Sequence, residues 1–114
     1  PDELVVWGSG KATREHLYVE DAARGLLALG GWARPDPLNI GTGQEISVAE
    51  LAAAVVDAVG YTGPVRFDPS KPDGQPRKVM DISLATKTLG WEARTGLKAG
   101  LEETVRWYRE ALRC

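Results

Sequence analysis

The apolar positions of this chain change period several times, and each change marks an element. Leu4 to Trp7 is a run of β-forming residues closed by Gly8-Ser9-Gly10-Lys11, which predicts a strand ending in a tight loop. His16 to Val19 alternates weakly and predicts a second strand. Asp21 is then placed to cap a helix through Leu29, ended by Gly30 and Gly31. After the loop Trp32 to Pro37, Leu38 to Ile40 reads as a very short strand stopped by Gly41 and Gly43. The strongest helical signal follows. Ser47 and Glu50 are spaced as a capping box, Ile46 and Leu51 as its hydrophobic staple, and Leu51, Val55, Val56 and Val59 fall on one stripe before Gly60. Val65 and Phe67 alternate as in a half-buried strand. Asp81 is placed to cap a short helix ending at Gly90. From Leu97 a last helix carries Leu97, Leu101, Val105, Tyr108 and Leu112 on one stripe, with Glu102, Glu103, Arg106 and Arg109 facing water.

Four helices and about four short strands describe a small mixed α/β unit without internal repeats. At 114 residues it is a single domain. Its 43% hydrophobic and 26% charged residues place it among globular chains. Fourteen Lys and Arg against sixteen Asp and Glu give no positive field that would make it a general nucleic-acid binder. The one cysteine, Cys114, excludes an intrachain disulfide and a thiolate metal cluster, fits a reducing, cytoplasmic setting, and at a terminus is a poor candidate for catalysis. No targeting stretch or membrane-length apolar run is present. The chain starts at Pro1, directly on a strand of internal character, so we expect a piece of a longer protein. Apolar surface left uncovered by the remainder would favour self-association, with a homo-oligomer as the outcome.

No catalytic constellation is assembled. His16 has no second His or Cys near it, so we expect packing or hydrogen bonding from it rather than metal binding. Gly8 to Lys11 is too short for a phosphate-cradling P-loop, and Gly41 to Gly43 lacks the third glycine of a dinucleotide fingerprint; both read as turns. The cations are more informative. Lys11 and Arg14 follow the first loop, while Lys71, Arg77 and Lys78 lie in Phe67 to Lys78, a stretch stiffened by Pro69, Pro72 and Pro76. Converging, these segments would hold a pyrophosphate, to which an Arg fork and a Lys point charge are suited. Asp73 could accept two parallel donors, as guanine presents them, and Trp7 could stack on a base or cover a sugar. The plain alternatives are solvated loop charges, a turn-forming Asp and a core Trp.

The segments Val5 to Gly25, Leu38 to Tyr61, Phe67 to Lys78 and Leu89 to Trp91, in this order, closely resemble the C-terminal part of the GDP-L-fucose synthase family, which are extended short-chain dehydrogenases/reductases. The first two segments recur loosely in many nucleotide-sugar epimerases and dehydratases, whereas Ser70 to Lys78 points to the fucose synthase subgroup. The resemblance implies a substrate-binding domain of an enzyme that epimerises and reduces GDP-4-keto-6-deoxy-mannose. Trp7 and Arg14 match positions that contact the GDP-sugar, Arg14 near the diphosphate, and Asp73 with Lys78 match the substrate-binding loop. It also implies that NADP(H) is held by an N-terminal Rossmann domain absent from this chain, together with the reductase and epimerase residues. These 114 residues would then be inactive alone and bind neither cofactor nor metal. The loop at Trp32 to Pro37 is shorter than in the family. Another nucleotide-sugar epimerase, dehydratase or reductase, or a non-catalytic nucleotide-sugar-binding module, remains the alternative.

Overall fold

The structure, a computed structural model, describes residues 3–32 and 36–113. Pro1, the middle of the Trp32 to Pro37 loop and Cys114 lie outside the described residues, and with them the expectations attached to those positions. In chain order the elements are β1 (Leu4–Trp7), β2 (Thr13–Arg14), α1 (Val19–Leu29), β3 (Ile46–Ser47) and α2 (Val48–Val59). They continue with β4 (Val65–Asp68), β5 (Arg77–Lys78), α3 (Ser83–Leu89) and α4 (Leu97–Leu112). The fold is mixed α/β with two small sheets.

β1 and β4 pair in parallel, Leu4 opposite Val65 and Trp7 opposite Asp68. The second sheet has the order β3-β2-β5. There β2 runs antiparallel to β3 and parallel to β5, with Thr13 opposite Arg77 and Arg14 opposite Lys78. α2 opens on the expected box: Ser47 Oγ accepts from Glu50 N at 3.0 Å, and Glu50 Oε1 accepts from Ser47 N at 3.4 Å. It ends at Gly60, whose φ of 80° is left-handed. α2 packs against α4, and Arg109 of α4 donates to the Val59 carbonyl at 2.6 Å, closing the α2 terminus.

Four readings of the sequence need correction. No strand forms at 16–19; the pairing lies at Thr13–Arg14, where neighbours on both sides supply a ladder. Asp21 does not cap α1. The cap position is Tyr18, without a side-chain bond, and Asp21 sits inside the first turn at 2% exposure. It accepts from Arg24 Nη2 at 2.7 Å and from the Thr95 and Arg94 amides at 2.9 and 3.2 Å, tying α1 to the turn before α4. Leu38 to Ile40 is irregular, because so short an extended run needs a partner and none pairs with it among the described residues. Asp81 accepts from the Ser83 amide and hydroxyl at 3.0 and 2.6 Å, turning the chain one residue before the Ile82 cap position of α3.

Burial is sparse. Among the described residues only Ala12, Ala85 and Trp91 are buried hydrophobics, and no large side chain is fully enclosed. The molecule is a slab of 52 × 37 × 19 Å with a radius of gyration of 16.7 Å, where a globular chain of this length has about 13 Å. Its accessible surface is 8087 Å², against roughly 6,100 Å² for a folded monomer of 12.3 kDa. No helix among the described residues is long and apolar enough to cross a membrane.

Candidate functional site

The stretch from Phe67 to Lys78 is irregular between the end of β4 and the start of β5, yet nearly every second residue is tied down. Asp68 Oδ1 accepts from the Ser70 amide and hydroxyl at 3.1 and 2.6 Å, and the Asp68 carbonyl accepts from Lys71 N at 3.2 Å. Asp73 then reaches the loop after Trp7. Its Oδ1 accepts from Ser9 N and its Oδ2 from Ser9 Oγ, each at 2.7 Å. The Pro76 carbonyl accepts from Thr13 N at 2.9 Å. Finally β5 enters the second sheet beside β2, and Arg77 Nε donates to Glu45 at 2.8 Å. Prolines fix φ here and these bonds fix position, so the loop forms one wall with the segment 7–14.

Gly8 permits that closure. Its φ is +94°, and a Cβ there would overlap Asp73 Oδ1. The carboxylate comes that close because the Ser9 amide and hydroxyl both point at it, and those two bonds hold the Asp73 carboxyl below its usual range, with Lys11 and Arg14 adding to the effect. Asp73 is therefore an exposed, ionised acceptor. Two of its roughly four lone-pair sites are taken by Ser9.

Arg14 is half-buried, and its Nη1 donates to the Thr13 carbonyl at 2.6 Å and the Gln75 carbonyl at 2.7 Å. Both hydrogens of that nitrogen are thereby used, while Nε and Nη2 make no hydrogen bond among the described residues. Nη2 lies against Gly74, where a Cβ would stand 3.3 Å away. The fork is anchored through Nη1, and its other nitrogens keep their donors unbonded among the described residues. Lys78, its register partner, is exposed and has no ion pair among the described residues. Adjacent strands lie about 4.8 Å apart, so these two positive residues stand side by side, Arg14 on the central strand and Lys78 on the outer one. Trp7 stands 66% exposed at the end of β1, and Lys71 Nζ lies 5.0 Å from its ring centroid.

The structure thus sets Arg14 beside Lys78, and Asp73 against the loop that follows Trp7. Ser9, Glu15 and Glu45 were not foreseen as parts of this region. Glu15 accepts from Gly43 N at 2.8 Å and Met80 N at 2.8 Å, while Glu45 accepts from Thr13 Oγ1 at 2.7 Å as well as from Arg77. Periodicity could not reveal them, because their partners are backbone and loop groups far away in sequence. His16 is exposed and makes no hydrogen bond among the described residues, so neither the packing nor the hydrogen bonding expected of it is seen; it lines a cavity of about 100 Å³ with Tyr18, Thr95 and Leu97. No cluster of three or more His, Cys, Asp or Glu among the described residues could hold a metal ion.

The glycine loops do not fit a dinucleotide pyrophosphate. The loop 8–11 leads into β2 rather than a helix, and the Gly43 amide is bonded to the Glu15 carboxylate, a poor neighbour for phosphate. The amides that open α2 are all engaged: Val48 N donates to the Ala12 carbonyl and Ala49 N to the Gly10 carbonyl, at 2.9 and 3.0 Å, and the capping box serves Ser47 N and Glu50 N.

A family model described as GDP-mannose 4,6 dehydratase matches residues 1–104. Probable GDP-L-fucose synthase 1 of Oryza sativa subsp. japonica is 43% identical, over 95% of this chain and 33% of that protein. A crystal structure of a GDP-L-fucose synthetase from Naegleria fowleri bound to NADP aligns with a TM-score of 0.88 at 32% identity, over 97% of this chain and 36% of that one. UDP-glucose 4-epimerase from Thermotoga maritima, solved with UDP-glucose, aligns with a TM-score of 0.87 at 30% identity, over 96% and 36%. The chain spans about a third of the length of the curated relatives it matches.

Proposed function

The chain belongs to the family described as GDP-mannose 4,6 dehydratase, and on that premise we propose that it is the substrate-binding part of a GDP-L-fucose synthase-like enzyme, holding the diphosphate and base of a GDP-sugar. One observation carries the reading: β2 and β5 put Arg14 and Lys78 in register, with the unbonded side of the Arg14 fork available to a ligand. A fork and a point charge side by side on paired strands match the oxygens of a pyrophosphate. Asp73 supplies the acceptor a guanine edge requires, and Trp7 supplies an exposed aromatic face. In this reading the chain contributes binding and orientation, an entropic part of catalysis. Transfer of protons and hydride falls to residues outside these 114, NADP(H) being held there as well, and no step of that chemistry is routed through this site.

Arg14→Ala should weaken binding of GDP-mannose at least about tenfold by calorimetry. Because Arg14 also ties down the Gln75 carbonyl, Lys78→Ala serves as the second variant; it removes charge without removing an internal bond, and a several-fold loss is expected. Unchanged affinity in both variants would refute the site. A second reading, a nucleotide sugar with another base, draws support from the likeness to an epimerase solved with UDP-glucose. Titration with GDP-, UDP- and dTDP-sugars separates the two: preference for GDP-sugars, lost in Asp73→Asn, supports the first.

A further inference from the structure

Five cations flank the site, and they differ in what already engages them. Arg14 bonds two carbonyls, and Arg77 is paired with Glu45. Lys11 acts on Asp73. Lys78 makes no ion pair among the described residues, and Lys71 is different again: its side chain rests on an aromatic face, the ammonium 5.0 Å from the Trp7 centroid. That face is 66% exposed and stands at the start of the loop to which Asp73 is bonded.

The backbone beneath Lys71 is unusually well fixed for an irregular segment. Lys71 N is bonded to the Asp68 carbonyl, Pro69 precedes it by two positions, Pro72 follows it, and Asp73 is fastened to Ser9. The freedom at this position therefore lies in the side chain, a stem with four rotatable bonds on a pinned base. A cation–π contact at an exposed site is worth little, about 0.5–1 kcal/mol. A charge-assisted bond to phosphate is stronger. A flat ring arriving on the indole would displace the ammonium and bring its own phosphates within reach of it.

We propose that Lys71 is a phosphate-contacting residue of this site, its ammonium exchanging the Trp7 ring for the ligand's phosphate as the ligand's ring stacks on the indole. This deepens the nucleotide-sugar reading and rests on it. It gives Trp7 and Lys71 one coupled role, in which stacking of the base or sugar and capture of the phosphate occur together. Lys71 is a binding residue here, contributing to affinity and to placement of the diphosphate.

The test uses GDP and guanosine as probes on the full chain, by calorimetry, with wild type, Lys71→Met and Lys71→Arg. Met keeps an unbranched stem over Trp7 but carries no charge, and because Lys71 is exposed the variant should keep its helical circular dichroism. Lys71→Met should bind GDP about tenfold more weakly while guanosine binding changes less than about twofold; Lys71→Arg should recover most of the GDP affinity. GDP affinity within about twofold of wild type in Lys71→Met would reduce Lys71 to a surface stack and overturn the proposal. Equal losses for GDP and guanosine would overturn it differently, assigning Lys71 to shaping the aromatic face. Should wild type bind neither probe, the nucleotide-sugar reading itself fails and this role goes with it.

Discussion

The irregular stretch from Phe67 to Lys78 and the second half of α4 are opposites. The first contains three prolines and is strand only at its two ends, in β4 and β5, yet carboxylates and carbonyls hold it to the segment 7–14 at Ser9, Thr13 and Arg14. The second is regular helix, yet Trp107 is 66% exposed, Tyr108 57% and Leu112 70%. Regular backbone is thus no guide to where the molecule is fixed. The polar side is self-sufficient because its acidic residues satisfy amides across long sequence separations, whereas the helix gains from its apolar stripe only where another element covers it. Near its start it has that cover: Leu97, Leu101 and Val105 are half-buried, and Tyr18 packs close to Gly100.

If carboxylate ties order this chain more than burial does, the buried one should matter most. Burial alone would raise the Asp21 carboxyl, but the Arg24 guanidinium and the Thr95 and Arg94 amides together hold it below its ordinary value. Asp21→Ala leaves the Thr95 and Arg94 amides without an acceptor and the Arg24 guanidinium with only the Glu92 carbonyl, and should cost about 3 kcal/mol in urea unfolding. Arg24 is partly exposed, which keeps the figure at the low end for a buried pair. The pH dependence follows in sign. Since the folded carboxyl has the depressed pKa, its contribution is present above the unfolded value near 4 and is lost as pH falls through the lower folded value. Wild type should lose stability across that acid window, and Asp21→Ala should show a correspondingly smaller loss. A destabilisation below about 1 kcal/mol would return the ordering of α1 and α4 to apolar contact.

How far the sequence revealed these regions follows from the same contrast. α2, β1, β4 and α4 were legible because a capping box, an apolar run and a helical stripe are local signals. The two-residue strands β2, β3 and β5 were not, since pairing across the fold creates them and two residues carry no period. Asp21 was misassigned as a cap because sequence shows that an acid opens a helix, not that a distant turn will bury it. Trp7, Arg14, Asp73 and Lys78 could be proposed from chemistry and resemblance, while the Ser9 clamp on Asp73 arises only where the fold brings two loops 64 residues apart together.

A smaller effect isolates the clamp. Gly8 and Gly60 both have left-handed φ, but a Cβ at Gly60 meets nothing within 4 Å, whereas one at Gly8 overlaps Asp73. Gly60→Ala should cost only the backbone strain, about 1 kcal/mol, and Gly8→Ala about 2 kcal/mol, with the additional loss disappearing in an Asp73→Ala background. Additive losses in that double-mutant cycle would mean that the two positions do not meet.

The smallest effect is expected at the far end of α4. Trp107 and Leu112 present apolar surface to solvent in the folded chain much as in the unfolded one, so replacing both with Ser removes little transfer free energy. The doubly substituted chain should unfold within about 0.5 kcal/mol of wild type, the range of ordinary surface changes. Its association should change more. Exposed aromatic and leucine side chains on one helix end are the groups through which two slabs would meet, so sedimentation across a concentration series should show less self-association in the variant. A loss of 2 kcal/mol or more would place these side chains inside a packed core and erase the contrast with the loop. Stability close to wild type with weaker association would locate the excess surface of this flat molecule at the α4 end.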